Sequence, residues 1–276
     1  MTELQKAELN LLEYFIDICN KLNLKYFMIC GSALGAVKYN GFIPWDDDID
    51  VALKREDYEI FCANAQNMLP PNIFLQNYKT EPNFPHIYSK LRNSDTTFIE
   101  KSAENLDINH GIYIDIFPLD GYPRNRLVQG IFEFKKRIYE SMLLSAFNIP
   151  RSVRSSILHN VYNFFGVKKH IKTITSRYDR MIKKYKIENS TIIANHGNWQ
   201  GKLEYATKEQ YGSGTIKKFE SVNVRIPEKY DEYLTQKYGS WMEELPDDKR
   251  IGHHYYIACD TKVSYVKFIG GKVNEK

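Results

Sequence analysis

Apolar positions recur at helical spacing over residues 4–22, at Leu4, Leu11, Phe15, Ile18 and Leu22 with Leu12 and Cys19 beside them. This predicts an amphipathic packing helix. Tyr26-Phe27-Met28-Ile29-Cys30 then reads as a short buried strand that ends at Gly31-Ser32, with a short helix over residues 33–38. Ser32 is placed to cap that helix, and Gly31 lets the backbone approach a phosphate at the helix N-terminus. Alone, Gly-Ser asks for no more than a cap. After a turn at residues 39–42, a strand is predicted over residues 46–53. Alternation puts Asp46, Asp48 and Asp50 on one face and Ile49, Val51 and Leu53 on the other, with Asp47 turned away and tolerant of change.

Residues 56–69 read as a helix stopped by Pro70-Pro71, and residues 73–77 and 86–91 as strands. The second strand runs into Lys90 and Arg92 on one face: either an exposed basic edge or a pair of phosphate contacts. Residues 111–118 alternate cleanly, Ile112, Ile114 and Ile116 against Tyr113, Asp115 and Phe117. Residues 130–147 and 153–165 read as helices broken at Asn148-Ile149-Pro150, and residues 170–185 as a third. Ile131, Phe134, Ile138 and Met142 form the expected core face of the first, and Val153, Ile157, Val161 and Phe164 that of the second. Residues 192–194 are a candidate strand and residues 195–214 read as loops. Residues 219–226 read as one strand. Pro227 then opens a helix that Gly239 closes.

The chain has 276 residues, 43% of them hydrophobic, enough for one large domain with an insertion. We divide it into a catalytic core (1–121), a basic helical insertion (122–190) and a C-terminal part that completes the catalytic domain and acceptor site (191–276). The net charge of +4 conceals a segregation: residues 122–187 hold 15 Lys/Arg and 3 Asp/Glu. Such a segment is either a helical subdomain with a solvated basic surface or an element resting on anionic lipid. The start of the chain lacks the apolar run of a leader, no stretch reaches membrane-span length, and the four cysteines are scattered. The expected place is cytoplasmic, peripheral on the inner face of the membrane, with thiols reduced and no zinc site. No nucleic-acid partner is expected.

The chemistry concentrates where acids alternate with core residues. Three carboxylates on one side of a buried strand repel each other and call for a hard divalent cation; a turn of Gly and Ser would be the ordinary setting for an acidic cluster. A lone Asp115 in an apolar strand is costly unless paired or bound to metal. It is the natural third carboxylate beside Asp48 and Asp50. His253-His254, being adjacent, point apart and do not make a two-histidine metal site; His253 is kept as a candidate contact.

Ile29-Cys30-Gly31-Ser32-Ala33-Leu34-Gly35-Ala36-Val37, followed by Gly41-Phe42-Ile43-Pro44-Trp45-Asp46-Asp47-Asp48-Ile49-Asp50, resembles the signature of the LicD family. Lys90-Leu91-Arg92, Thr96-Thr97-Phe98, residues 111–120, Tyr230-Asp231-Glu232-Tyr233-Leu234, Tyr238-Gly239 and Lys249-Arg250 extend the likeness, whereas residues 122–198 show little of it. The resemblance implies an α/β (α+β) nucleotidyltransferase-like fold, a mixed sheet flanked by helices. It implies transfer of a phospho-alcohol, phosphocholine first, from a CDP-alcohol donor to a hydroxyl of a bacterial surface glycan (lipopolysaccharide, teichoic acid or capsule), itself lipid-linked. In that reading Asp48, Asp50 and Asp115 hold Mg²⁺ or Mn²⁺, and Gly31, Ser32, Lys90 and Arg92 contact phosphate. Asp46 orients or deprotonates the acceptor, and Trp45, Tyr113 or Trp199 stacks on the alcohol. Two other classes stay open: a nucleotidyltransferase moving NMP from an NTP, and a non-enzymatic module that binds anionic surfaces.

Overall fold

The computed structural model describes residues 1–145, 153–198, 201–252 and 254–268. Its central strand is β6 (Ile112–Gly121), buried at all ten positions. That length serves two neighbours on one side. Residues 112–116 pair antiparallel with β4 (Ser89–Asn93), and residues 119–121 pair antiparallel with β7 (Ile192–Asn195). Along the other side β2 (Asp50–Lys54) runs parallel to residues 115–119. A parallel strand is covered on both faces, which explains why Val51, Ala52 and Leu53 are all buried. Outside these lie β1 (Tyr26–Met28) on β2, β3 (Ile73–Gln76) on β4, and β8 (Tyr205–Thr207) on β7, completing a seven-stranded mixed sheet. Residues 192–195 and 205–207 therefore complete the same sheet as the strands between residues 26 and 121.

Helix α1 (Glu3–Lys21) packs on this sheet through Leu11, Leu12, Phe15 and Ile18. Its start is fixed by a capping box: Thr2 Oγ accepts from the Gln5 N–H at 3.1 Å, and Gln5 Oε1 accepts from the Thr2 N–H at 2.9 Å. The Gln5 amide also donates to the Asp46 carbonyl at 3.0 Å, so the helix start holds the acidic loop. Helices α2 (Cys30–Lys38) and α3 (Arg55–Asn64) follow β1 and β2. The first departs from expectation: it begins at Cys30, capped by no side chain, and Ser32 lies inside it. Ser32 Oγ instead accepts the Asp50 N–H at 2.8 Å, tying helix to acidic strand.

The predicted strand over residues 46–53 begins only at Asp50, and residues 46–49 are irregular, so alternation says nothing about Asp46, Asp47 or Asp48. Residues 86–88 precede β4 and do not join it. Residues 219–226 are the corner and second arm of a hairpin, β9 (Thr215–Phe219) and β10 (Val222–Ile226), with Glu220 in the left-handed region at φ 52°. The expected loop over residues 195–214 contains β8 and a short helix, α7 (Lys208–Tyr211). Helix α8 (Tyr230–Tyr238) ends at Gly239, which takes φ +66°. A strand the sequence reading missed, β11 (Tyr256–Asp260), pairs with β5 (Thr97–Glu100).

Helices α4 (Arg126–Leu144), α5 (Val153–Phe164) and α6 (Ile171–Ile182) form the basic subdomain. A second apolar cluster joins α4 and α6 to β7 and β8 through Tyr122, Phe132, Leu143, Ile171, Tyr178 and Tyr205. The buried face of α4 is Phe132, Lys136 and Leu143; Ile131 and Phe134, expected inside, are exposed, as are Val161 and Phe164 of α5. The break at residues 148–150 and the side chains of Val153 and Ile157 lie outside the described set. Arg55 stitches the two parts together: it donates to both Asp120 carboxylate oxygens, at 2.8 and 2.5 Å, and pairs with Asp179 of α6 at 3.1 Å. No helix among the described residues is long and apolar enough to cross a membrane.

Candidate active site

Asp50 and Asp115 are register partners across the parallel β2–β6 pair, so the two carboxylates stand side by side on one face of the sheet. Both face a cavity of about 610 Å³ that Gly31, Trp45, Asp46, Asp48 and Lys90 also line. The backbone locks this arrangement: the Asp115 N–H donates to the Ile49 carbonyl at 2.8 Å, and the Ile29 N–H to the Asp50 carbonyl at 3.0 Å. A Cβ on Gly31 would sit 3.0 Å from an Asp46 oxygen, so the glycine lets α2 close on the acidic loop.

The electrostatics follow from crowding acids where water is scarce. Burial, with Asp48 and Asp115 adding like charge, lifts Asp50 well above the usual carboxylate range. Burial raises Asp115 too, against the pull of Lys90, whose Nζ lies 3.0 Å away. Asp46 is pushed up to about 8, by burial first and then by Asp48 and Asp47. This excess of carboxylate over cation is the donor set a hard divalent metal fits, and such an ion would relieve the repulsion. Asp48, Asp50 and Asp115 share the cavity wall. The tightest group of ligand atoms among the described residues is a different one, Asp47, Asp48 and His254, all within 4.8 Å of one another.

Asp47 therefore does not turn to solvent. It accepts the His254 backbone N–H at 3.1 Å and meets the ring Nδ1 at 3.1 Å, anchoring the C-terminal segment over the acidic loop. Although burial opposes its charge, the Asp47 contact and the nearby Asp48 and Glu100 lift His254 to about 10. The expected histidine was His253, which lies outside the described residues, as does Trp199.

Lys90 reaches the cavity, with Nζ 3.7 Å from Glu100 and 3.2 Å from the Tyr113 ring centroid. Arg92, its supposed partner, does not line the cavity: it is 1% exposed, donates to Gln76 Oε1 at 2.5 Å and to the Gly111 carbonyl at 2.6 Å, and stacks on Tyr113. Tyr113 forms the platform beneath Lys90 and is not part of the cavity wall. Ser32 likewise acts from behind, through the Asp50 N–H. Trp45 is on the wall, with Arg250 5.4 Å from its ring centroid.

Four groups escaped the sequence reading. Glu100 lines the cavity and is held down at about 2 by Lys90 and His254, against the cost of burial. Glu8 is 2% exposed behind the loop and raised by burial and by Asp48, Asp47 and Asp46. Its place in the α1 apolar stripe was the legible signal. Lys237 lines the cavity, pairs with buried Glu204 and lies 3.4 Å from Cys30 Sγ. His254 comes from the far end of the chain, and of the adjacent pair only His253 was kept as a candidate contact.

The profile of the LicD/FKTN/FKRP nucleotidyltransferase domain matches residues 23–150. Residues 23–150 are a LicD-family domain. The LicD stretch holds Asp46, Asp47, Asp48, Asp50, Glu100 and Asp115, whereas Glu8, Lys237 and His254 lie outside it. Among relatives, the lipopolysaccharide cholinephosphotransferase LicD of Haemophilus influenzae is 26% identical over 269 residues, 92% of this chain and 96% of that one. The mouse ribitol 5-phosphate transferase FKRP is 27% identical over 116 residues, 41% of this chain and 20% of its own. An uncharacterized protein of Rickettsia typhi is 32% identical over 112 residues, 40% of this chain and 33% of its own.

Proposed function

We propose that this LicD-family protein is a metal-dependent phosphotransferase that moves a phospho-alcohol, phosphocholine first among the candidates, from a CDP-activated donor to a glycan hydroxyl and releases CMP. The side-by-side Asp50 and Asp115 on the wall of a cavity roomy enough for a nucleotide carry this reading. The likeness to a cholinephosphotransferase over nearly the full length of both chains supports the alcohol and the acceptor class.

Asp48, Asp50 and Asp115 would hold Mg²⁺ or Mn²⁺, with Asp47 and His254 bordering the same place. The ion supplies charge neutralisation on the diphosphate. Lys90, oriented by Asp115, Glu100 and the Tyr113 ring, offers an ammonium to a phosphate oxygen. Asp46, on the wall of the same cavity, takes the acceptor proton as general base. The acceptor oxygen forms its bond to the phosphorus distal to cytidine. The bond from that phosphorus to the bridging oxygen breaks, and CMP leaves with the electron pair. Tyr39, Trp45, Tyr238 and Trp241 line the same cavity and offer aromatic faces to a quaternary ammonium.

Incubation with CDP-choline, CDP-ethanolamine, CDP-glycerol or CDP-ribitol, Mg²⁺ and a glycan acceptor tests this. Free CMP together with labelled glycan is the expected result. Pyrophosphate release from an NTP would indicate nucleotidyl transfer instead, and no product with any donor would remove the catalytic reading.

A further inference from the structure

The basic subdomain carries an apolar face that nothing else in the described chain covers. On α4, Leu127 is 81% exposed, Ile131 57% and Phe134 66%. At 3.6 residues per turn these three and Ile138 fall on one stripe, opposite the buried Phe132, Lys136 and Leu143. The end of α5, a helix in contact with α4, adds Phe164 at 85% and, just after it, Phe165 at 71%. Single exposed apolar side chains are ordinary, but this many large ones on one small subdomain mark a docking surface.

The charges on α4 are sorted in the same sense. Its two acids turn inward: Glu133 accepts from the Tyr122 and Tyr205 hydroxyls at 2.8 Å each, and Glu140 pairs with buried Lys136 at 3.5 Å. Arg126, Lys135 and Arg137 are exposed, roughly a quarter turn to either side of the stripe. Lys168 and Lys169 are exposed shortly after Phe164 and Phe165. A protein partner would be met by any apolar face. An apolar stripe fringed by cations alone, in a segment with 15 basic and 3 acidic residues, fits an anionic bilayer.

We propose that this face docks the protein on an anionic lipid membrane, with Leu127, Ile131, Phe134, Phe164 and Phe165 at the headgroup–acyl boundary and the flanking cations on lipid phosphates. Helix α4 also supplies Leu144 to the wall of the catalytic cavity. Leu144 lies ten residues beyond Phe134, about 15 Å at the helical rise. The docked surface thus stands one short helix segment from the site, whatever group is transferred there.

Co-sedimentation of the full chain with lipid vesicles tests the proposal. At low salt the protein should pellet with phosphatidylcholine vesicles that contain phosphatidylglycerol, and at least about tenfold less with phosphatidylcholine alone. Ile131→Ser/Phe134→Ser/Phe164→Ser should lose binding about tenfold or more at an unchanged melting temperature, because these side chains are exposed. Lys135→Glu/Arg137→Glu should weaken binding, as should added salt. Transfer to a soluble acceptor should be unaltered in the serine variant, which separates docking from catalysis. Absence of wild-type binding, or undiminished binding by the serine variant, overturns the proposal. So does a wild-type dimer that the serine variant dissolves while vesicles capture neither, which would make the face a contact between copies of this chain.

Discussion

Asp50 and Asp115 owe their position to one parallel register, and their cost to burial. Asn at either position keeps the shape and removes the charge. Changes even in residues that only orient a metal ligand cost 10–100-fold, so Asp50→Asn and Asp115→Asn should each lower kcat by more than about 100-fold. Their melting temperatures should hold or rise as repulsion is relieved. Initial rates and thermal melts on the same preparations check both. Asp47→Ala should also lose activity, through the loosened His254, where the sequence alone forecast tolerance. Two histidines, buried His196 and half-buried His86 on the cavity wall, work against stability in acid. His86 and His196 are each pushed down to about 3, chiefly by burial. An unfolded histidine titrates near 6.5, so below that pH the unfolded chain takes up protons the folded chain refuses. The contribution of these two histidines should therefore turn against the folded chain as pH drops from about 6.5 towards 3, opposite in sign to the raised carboxylates, whose contribution grows as pH falls. His196 sits among Tyr122, Phe132 and Tyr205, so His196→Phe should remove its share of that loss in urea titrations at about pH 7.5 and about pH 5.

Between elements, the buried pair Lys237–Glu204 ties α8 to the turn before β8. Removing one partner strands the other charge, so Lys237→Met or Glu204→Leu alone should cost about 3–5 kcal/mol. The double variant should cost much less than the sum, and urea melts of the four proteins measure the coupling. The elements legible in sequence were those with a local cause. α1 shows its stripe, α8 its closing Gly239 (it starts at Tyr230, three residues after Pro227), and β6 its alternation. The strand expected over residues 219–226 ran through the corner and left out most of β9, because Glu220-Ser221 carries no Gly or Pro. Glu220 is held there by tertiary contacts: its N–H donates to the Asn40 carbonyl at 2.9 Å and its carboxylate accepts from the Phe42 N–H at 3.2 Å. The β5–β11 pair joins segments more than 150 residues apart by the sequence numbering, beyond any periodicity argument. On α4 two apolar stripes compete, and the buried one was disguised by Lys136. The acidic site was half legible for the same reason. Alternation found Asp50 and Asp115, failed over the irregular residues 46–49, and could not foresee Glu100, Lys237 or His254 arriving from other elements.

At the scale of the molecule, burial of several carboxylates around one cavity lowers the stability of the protein without metal. Mg²⁺ should therefore raise the melting temperature of the native chain in proportion to the logarithm of its concentration above Kd, and should not do so for Asp50→Asn/Asp115→Asn. Differential scanning fluorimetry across a magnesium series decides it. The catalytic sheet and the basic subdomain are joined by covalent chain, by a shared apolar cluster and by the Arg55–Asp120–Asp179 bridge. β6 lies at the centre of this: its first half pairs with β4, its middle with β2 and its last residues with β7, and Asp120 anchors Arg55. The amides of such a strand become accessible to solvent deuterium only when the surrounding sheet opens. β6 should be the last segment to take up label, at the rate of global unfolding, while the acidic loop and the C-terminal segment over it exchange through smaller openings. Whatever breathing admits a ligand would then leave Asp115 standing still, and a pulse-labelling experiment would read that stillness as a flat uptake curve across residues 112–121.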